Sequence, residues 1–205
     1  MEPEISEVAT PHGPARVHLM RPADSVPTGL LMLGHGAGGG VGAGDLRIAA
    51  DSALGLGCAV ALVEQPYRVA GRRAPAPAAQ ADLAWTTVAR HLSAGSFAGV
   101  PLVTGGRSFG ARVACRTWEA TGCAGVLCLA FPLHPPGRPE KSRQDELTGV
   151  GVPVLVVQGK RDPFGRPEGS RTCRVVLVEG DHALKKDLPG IASVVSAWLR
   201  VVLER

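Results

Sequence analysis

The chain is poor in aromatic residues and has no run of basic residues. Phe, Trp and Tyr make up 4% of its 205 residues, and a single residue is tyrosine. Proteins that bind nucleic acids combine clustered Lys and Arg with aromatic side chains that stack on bases. Here the formal net charge of +4 rests on scattered arginines. We therefore expect no nucleic-acid partner.

The sequence also lacks the patterns of disulfide frameworks, metal sites and membrane spans. Its five cysteines form no C-x-x-C pair and no cluster with metal-ligand spacing. Several stand inside apolar stretches, which is typical of buried free thiols in a reducing compartment. No apolar stretch is long enough to span a bilayer, and the N-terminal residues lack the features of a signal peptide. We predict a cytoplasmic protein with no metal site and no membrane partner.

Apolar stretches alternate regularly with helical patterns along the chain. Strands are predicted at 29–34, 58–63, 101–104, 125–129, 152–157 and 173–178, and helices at 46–56, 78–92, 109–120, 143–147 and 191–203. This alternation is typical of an α/β fold with a mostly parallel central sheet and helices on both faces. Segments 5–9 and 16–20 flank a Gly/Pro turn and predict an N-terminal antiparallel hairpin. No insertion is large enough for a lid, so we predict one domain over residues 1–205.

One motif, Gly106-Arg107-Ser108-Phe109-Gly110, stands between a predicted strand and a predicted helix. In the order strand, Gly-x-Ser-x-Gly, helix, the serine occupies a sharp, strained turn that lifts its hydroxyl above the sheet. Glycines flank the turn because side chains there would collide with the neighbouring strand and helix. A match of five residues also arises by chance, so Ser108 is a candidate nucleophile that needs a base and an acid elsewhere.

Two later strand ends carry the residue types that would complete such a site. A serine hydroxyl needs a base to take its proton, and the base needs an acid to orient it. Behind a Gly-x-Ser-x-Gly turn these groups arrive in the order Ser, Asp or Glu, His. Asp162 follows the predicted strand 152–157, and His182 follows the strand 173–178. Since parallel strands end at one edge of a sheet, we predict that Ser108, Asp162 and His182 meet there.

Other residues compete for these roles. Asp181 could replace Asp162 as the acid, but adjacent loop residues rarely point at each other, and Asp181 could instead brace its loop. The other candidates for the base are His35, His91 and His134. His91 lies in a predicted helix and is interpreted as a surface residue. His35 and His134 precede the acid in the chain, so we expect them to shape the pocket.

The glycine-rich stretch after strand 29–34 has two interpretations. In an acyl-transfer site it would supply a backbone N–H to the developing oxyanion, and we predict Ala37 for this role beside the N–H of Phe109. Alternatively, Gly34-x-Gly36-x-x-Gly39, with Glu64 ending the next strand, mimics a dinucleotide-binding fingerprint. Against this, the next helix is predicted to begin only at its N-cap Asp45, too late to place its N-terminus on a pyrophosphate. We predict no cofactor.

These motifs resemble, in order and over almost the whole chain, those of the α/β-hydrolase superfamily. The matching stretches are His35-Gly36-Ala37-Gly38-Gly39, Gly106-Arg107-Ser108-Phe109-Gly110, Gly159-Lys160-Arg161-Asp162-Pro163 and Gly180-Asp181-His182. More narrowly, residues 67–73 and 131–137 resemble the small hydrolase-like family of testis-expressed protein 30 and NSL-complex subunit 3, which is related to dienelactone hydrolases. The resemblance implies a lidless core with the triad Ser108, Asp162 and His182. Some relatives act as scaffolds.

A lidless site is expected to be shallow and open, and suited to short acyl chains or to a large substrate that presents one ester; we predict a small-molecule ester-type substrate. Four arginines are predicted near the strand ends, where a guanidinium could pair with a substrate carboxylate: Arg68, Arg72, Arg73 and Arg107. Alternatively, they are solvated or tied to Glu64 and Asp45. Tyr67 and His134 are further candidates for the rim of the pocket.

Two functions are compatible with this sequence. The first is a serine hydrolase that cleaves esters, thioesters or lactones. The second is an interaction module whose Arg-rich loop or proline-rich 132–139 loop contacts a partner. An open cleft with Ser108 and His182 within hydrogen-bond reach favours the first, and a Ser108 buried behind these loops favours the second.

Overall fold

A computed structural model describes residues 2–22 and 26–204, which form a sheet of eight strands flanked by helices. The strands are β1 (Glu4–Val8), β2 (Ala15–Met20), β3 (Leu30–Gly34), β4 (Ala59–Glu64), β5 (Leu102–Arg107), β6 (Gly125–Leu129), β7 (Val154–Gly159) and β8 (Cys173–Val178). The helices are α1 (Gly44–Leu54), α2 (Pro66–Val69), α3 (Ala78–Ala94), α4 (Phe109–Arg116), α5 (Trp118–Thr121), α6 (Gln144–Thr148) and α7 (Leu188–Leu203).

The strand order is β1-β2-β4-β3-β5-β6-β7-β8. Strands β3 to β8 pair in parallel, and β1 and β2 form an antiparallel hairpin that joins the sheet through β4. The predicted mostly parallel sheet and its N-terminal hairpin are therefore confirmed. Strand β5, which leads into Ser108, lies inside the sheet between β3 and β6, so both of its neighbours end beside the serine turn.

Apolar side chains cover both faces of the sheet. On one face, Met32 of β3 and Ala61 of β4 pack with Trp85 of α3 and Val113 of α4. On the other face, helices α1 and α7 pack on a second cluster, whose members include Leu33, Leu127, Ala49 and Leu199. Because the parallel strands inside the sheet are buried on both sides, their sequences are mostly apolar without alternation, whereas the edge strand β8 is partly exposed. All five cysteines are buried free thiols, as predicted.

Three local predictions were wrong. The helix predicted over 109–120 breaks at Thr117, whose hydroxyl donates to the carbonyl of Val113 at 2.7 Å and competes with the backbone ladder. The loop predicted over 65–77 contains the short helix α2, which begins with Pro66, a residue whose fixed φ suits a first turn. Asp45 is not an N-cap, because α1 begins one residue earlier and the Asp45 carboxylate faces Arg107 instead.

Of the helices in the described ranges, none combines the length and apolar character needed to cross a membrane. Within the same ranges, none of the connections between strands and helices carries an inserted lid domain.

Candidate active site

Ser108 occupies the turn between β5 and α4 with φ of 52° and ψ of −106°. A positive φ is strained for a residue with a side chain, and the surrounding backbone holds it in place. The N–H of Ser108 donates to the carbonyl of Leu129 in the neighbouring strand at 2.9 Å. The turn leaves Ser108 half-buried at the carboxyl end of the sheet rather than enclosed by it.

The two glycines of the motif are required by close backbone packing, as predicted. A Cβ atom on Gly106 would lie 2.5 Å from the carbonyl oxygen of Gly34 and 2.9 Å from the carbonyl carbon of Gly110. A Cβ atom on Gly110 would lie 2.6 Å from the carbonyl carbon of Gly34. Strand β3 and helix α4 therefore approach the serine turn too closely for any side chain.

The structure brings Ser108, His182 and Asp162 into one hydrogen-bonded chain. Nε2 of His182 lies 2.9 Å from Oγ of Ser108, and Nδ1 of His182 lies 2.8 Å from Oδ2 of Asp162. An ionised carboxylate can only accept, so the Nδ1–H donates to Asp162 and Nε2 accepts from the Ser108 hydroxyl. This tautomer leaves the imidazole nitrogen nearest Ser108 free to take a proton.

Gln158, at the end of β7, holds the carboxylate of Asp162. The Asp162 side chain is 0% exposed, and its Oδ2 accepts from Nε2 of Gln158 at 2.9 Å. Its Oδ1 accepts from the N–H of Phe164 at 2.8 Å. These donors compensate a buried negative charge that would otherwise be costly. Sequence reasoning missed Gln158, although a polar residue in a strand buried on both faces was a usable signal.

Phe164 lies against the imidazole of His182, and it was also missed. The two ring centroids are 4.2 Å apart at an interplanar angle of 32°. Phe164 follows Asp162 by two residues, so one short loop supplies both the carboxylate partner and an apolar surface for the ring. Its contact with His182 depends on how that loop folds back, for which the sequence contains no pattern.

The competing acid and the competing helical base lie apart from this chain of groups. Asp181 is exposed, and its Oδ1 accepts from the N–H of Ala183 at 3.0 Å. This hydrogen bond joins the two residues on either side of His182 and so stabilises the loop. That hydrogen bond is the main reason why the pKa of Asp181 is lowered. His91 is exposed at the end of α3.

His35 is a buried structural residue with both ring nitrogens occupied. Its Nε2 accepts from the N–H of Gln65 at 3.1 Å, which requires that Nδ1 carries the proton and donates to the carbonyl of Gly36 at 2.8 Å. Burial is the main cause that lowers the pKa of His35, so the ring is neutral. His35 thus ties the start of the glycine-rich loop to the end of β4 and presents no free polar atom to a substrate.

Tyr67 packs beneath the same loop instead of standing at a pocket rim. Its hydroxyl donates to the carbonyl of Ala37 at 2.8 Å, and its ring meets His35 and Phe109 edge to face. Burial raises the pKa of Tyr67 to about 12. The tyrosine therefore fixes the main chain at Ala37.

Because Tyr67 is the single tyrosine, its titration can be followed by the tyrosinate absorbance of the native protein. We expect a native midpoint near 12 and an unfolded midpoint near 10. A pKa raised in the folded state stabilises the fold below the unfolded pKa, and this stabilisation is lost as the pH rises towards the folded pKa. Alkaline unfolding should show this loss, about 2 to 3 kcal/mol in total, in the wild type and not in Tyr67→Phe. A native midpoint near 10 would contradict the burial of the Tyr67 hydroxyl.

Two backbone N–H groups were predicted as donors to the oxyanion. These are the N–H of Phe109, at the first position of α4, and the N–H of Ala37 in the glycine-rich loop. In residues 2–22 and 26–204 neither group meets a hydrogen-bond acceptor. Helix α1 begins at Gly44, beyond this glycine-rich loop, so its N-terminus does not stand where a dinucleotide fingerprint would need it.

Arg107 is engaged within the protein. Its Nε lies 2.9 Å from Oδ2 of Asp45, and one terminal nitrogen donates to the carbonyl of His182 at 2.9 Å. Of the two roles left open for Arg107, the structure places it in the ion pair with Asp45 rather than toward a substrate carboxylate.

The remaining candidates lie in the loops around the site. A terminal nitrogen of Arg68 donates to the carbonyl of Arg72 at 3.2 Å, and Arg72 and Arg73 are exposed. Glu64 pairs with Arg16 and His18, so it does not hold these loop arginines. Nδ1 of His134 lies 2.9 Å from the carbonyl of Pro135, and its ring stands against Gly165 of the Asp162 loop.

The chain is similar to known proteins in both sequence and fold. The family model described as "Alpha/beta hydrolase domain" matches residues 27–188. An alpha-beta serine hydrolase homologue from Coxiella burnetii has 19% identity and a TM-score of 0.80, covering 97% of this chain and 98% of that chain. A serine hydrolase without a lid from Xanthomonas campestris has 21% identity and a TM-score of 0.78, covering 98% and 95%. The esterase Pf2001 from Pyrococcus furiosus has 13% identity and a TM-score of 0.75, covering 100% and 90%. These likenesses confirm the predicted fold.

Proposed function

Because this chain belongs to the α/β-hydrolase family, we propose that it is a serine hydrolase that cleaves a carboxylic ester, a thioester or a lactone. The observation that carries the proposal is the unbroken hydrogen-bonded chain from Ser108 through His182 to Asp162, with distances of 2.9 and 2.8 Å. A hydrolase-fold scaffold has no need for a serine within hydrogen-bond reach of a correctly oriented histidine.

In the first half of the reaction, Oγ of Ser108 attacks the substrate carbonyl and Nε2 of His182 takes its proton. The imidazolium that forms is stabilised by the buried carboxylate of Asp162, which keeps its negative charge throughout. His182 then gives the proton to the leaving oxygen or sulfur, and the acyl group stays on Ser108. Phe164 and Gln158 keep the ring and the carboxylate in this geometry.

The tetrahedral intermediate carries a negative oxygen that needs preorganised donors. We assign the N–H groups of Phe109 and Ala37 to this role, because both lack an acceptor in the described part of the chain. Tyr67 supports the assignment, since its hydrogen bond to the carbonyl of Ala37 fixes the peptide geometry beside that N–H. In the second half, water attacks the acyl group with His182 as base and restores free Ser108.

Several features favour a small-molecule substrate. Ser108 and His182 are half-buried and reachable, and the loops around them carry no inserted domain in the described ranges. The exposed Arg72 and Arg73 remain candidates for pairing with a substrate carboxylate, whereas Arg107 does not. The stretches 67–73 and 131–137 support the narrower placement beside the testis-expressed protein 30 type, and five buried free thiols support a reducing compartment.

The proposal is tested by the hydrolysis of p-nitrophenyl esters, aryl thioesters and simple lactones by wild-type protein and by Ser108→Ala. We expect turnover of at least one class by the wild type and none above background by Ser108→Ala. If the folded wild type hydrolyses no member of the panel, the result favours the alternative that the protein is an interaction module. The exposed Arg-rich loop is then the surface to test for partners.

A further inference from the structure

The Arg107 side chain links three segments that surround Ser108. It leaves the serine turn, pairs through Nε with Asp45 at the start of α1, and donates from a terminal nitrogen to the carbonyl of His182, both at 2.9 Å. Its other terminal nitrogen passes the glycine-rich loop so closely that a Cβ atom on Gly36 would lie 2.9 Å from it. One guanidinium therefore spans the serine turn, the histidine loop and both ends of the glycine-rich segment.

The glycines of the loop beside Arg107 add little packing to that loop. Side chains at Gly38, Gly40, Gly42 and Gly44 would meet nothing within 4 Å, and none of these glycines has a positive φ. This glycine run and the stretch Ala183–Lys185 face each other across a cleft of about 420 Å³, with Arg107 also in its wall. Because the two walls do not interdigitate, their separation depends on the few groups that bridge them.

The ion pair is well placed to act as a fixed bridge. The Asp45 side chain is 1% exposed and that of Arg107 is 20% exposed. Oδ1 of Asp45 also accepts from the N–H of Leu46 at 3.0 Å, which orients the carboxylate. If one partner of a buried ion pair leaves, the other remains as an uncompensated buried charge, which is strongly unfavourable. Both charges are therefore held in position.

We propose that Arg107, held by Asp45, is a positioning residue that sets His182 and the glycine-rich loop at their working distances from Ser108. The inference rests on the proposed hydrolase function. Arg107 reaches the main chain of His182 and does not touch the imidazole, the Ser108 hydroxyl or Asp162. Its loss should therefore disturb the alignment of the reacting groups more than the binding of the substrate.

Variants of both partners test this role, with Arg116 of α4 as the matched control. Arg116, at the far end of α4, makes a comparable half-buried pair with 2.8 and 2.6 Å hydrogen bonds to Asp82 and lies 3.7 Å from Glu146, and it forms no hydrogen bond or ion pair with the described residues of the glycine-rich loop or the His182 loop. We expect Arg107→Met to lower kcat about 10- to 100-fold with KM nearly unchanged, since small misplacements of reacting groups cost this much. Arg107→Lys keeps the charge but cannot reach both partners at once, and should recover part of kcat. Arg116→Met should keep the wild-type kcat.

A second readout does not require turnover. The proton between Nδ1 of His182 and Asp162 gives a downfield NMR resonance, which should shift or broaden in Arg107→Met and in Asp45→Asn but not in Arg116→Met. If Arg107→Met does not fold, Arg107→Lys and Asp45→Asn decide the question by kcat and by this resonance. Wild-type kcat and an unchanged resonance in the folded variants would overturn the inference. An inactive wild type whose resonance still moves in the variants would instead contradict the hydrolase function alone.

Discussion

Replacing His182 with Ala is expected to lower kcat by about four orders of magnitude or more, because Ser108 then has no base. None of the other histidines near the site can substitute. Both nitrogens of His35 are occupied, and the ring of His134 lies against Gly165 without a hydrogen bond to the Ser108 hydroxyl. Steady-state hydrolysis of an activated ester measures the effect, and His91→Ala, on the surface of α3, is the control that should retain wild-type kcat.

The same chain of hydrogen bonds predicts how the effects combine. Asp162→Asn should also lower kcat by about four orders of magnitude, since an amide can donate to Nδ1 and stabilise the wrong tautomer of His182. Because the three groups act as a unit, Ser108→Ala combined with His182→Ala should be no slower than either single variant. A missing base should leave far less than a tenth of the wild-type kcat. If His182→Ala kept more than about a tenth, the assignment of His182 as the base would be wrong.

Gly110→Ala is expected to destabilise the fold by at least about 2 kcal/mol, which is large for the addition of one methyl group. Alanine gains about 1 kcal/mol in helix propensity over glycine, so in open space this substitution in α4 would stabilise the protein. Here the new Cβ would lie 2.6 Å from the carbonyl carbon of Gly34, and neither β3 nor α4 can move without disturbing Ser108. Overpacking therefore outweighs propensity.

Urea denaturation measures this free energy of unfolding directly. Gly42→Ala is the matched control, because a Cβ atom there meets nothing within 4 Å and should change the stability by less than about 0.5 kcal/mol. Equal stability of Gly110→Ala and wild type would show that the close approach of α4 to β3 is not a constraint on the chain.

The positions of Ser108, Asp162 and His182 could be predicted from the sequence because of strand topology. Each follows a mostly apolar strand, and the loops that follow neighbouring parallel strands lie at one edge of the sheet. The close backbone packing around Ser108 was equally predictable, because glycine is the residue that allows such an approach. The N-terminal hairpin was encoded in short alternating segments around a Gly/Pro turn.

The partners of these groups could not be predicted, because side-chain direction depends on how loops pack. Asp45 was predicted as an N-cap, but α1 begins earlier; its pairing with an arginine was one of two alternatives that the sequence left open, and the structure shows the pair with Arg107. Tyr67 and His35 were expected at the pocket, and both are instead used to hold the glycine-rich loop. The contact of Phe164 with His182 depends on a loop that folds back on β7, which no local pattern encodes, whereas Gln158 was marked only by its polarity in a buried strand.

The central claim is that Ser108 is an activated nucleophile, and labelling with a fluorophosphonate probe tests it most directly. Such a probe reacts with a serine that has a working base and requires no knowledge of the substrate. We predict a single covalent adduct, mapped by mass spectrometry to Ser108, that is lost in both Ser108→Ala and His182→Ala. A folded wild-type protein that stays unlabelled, or an adduct on another residue, would contradict the account.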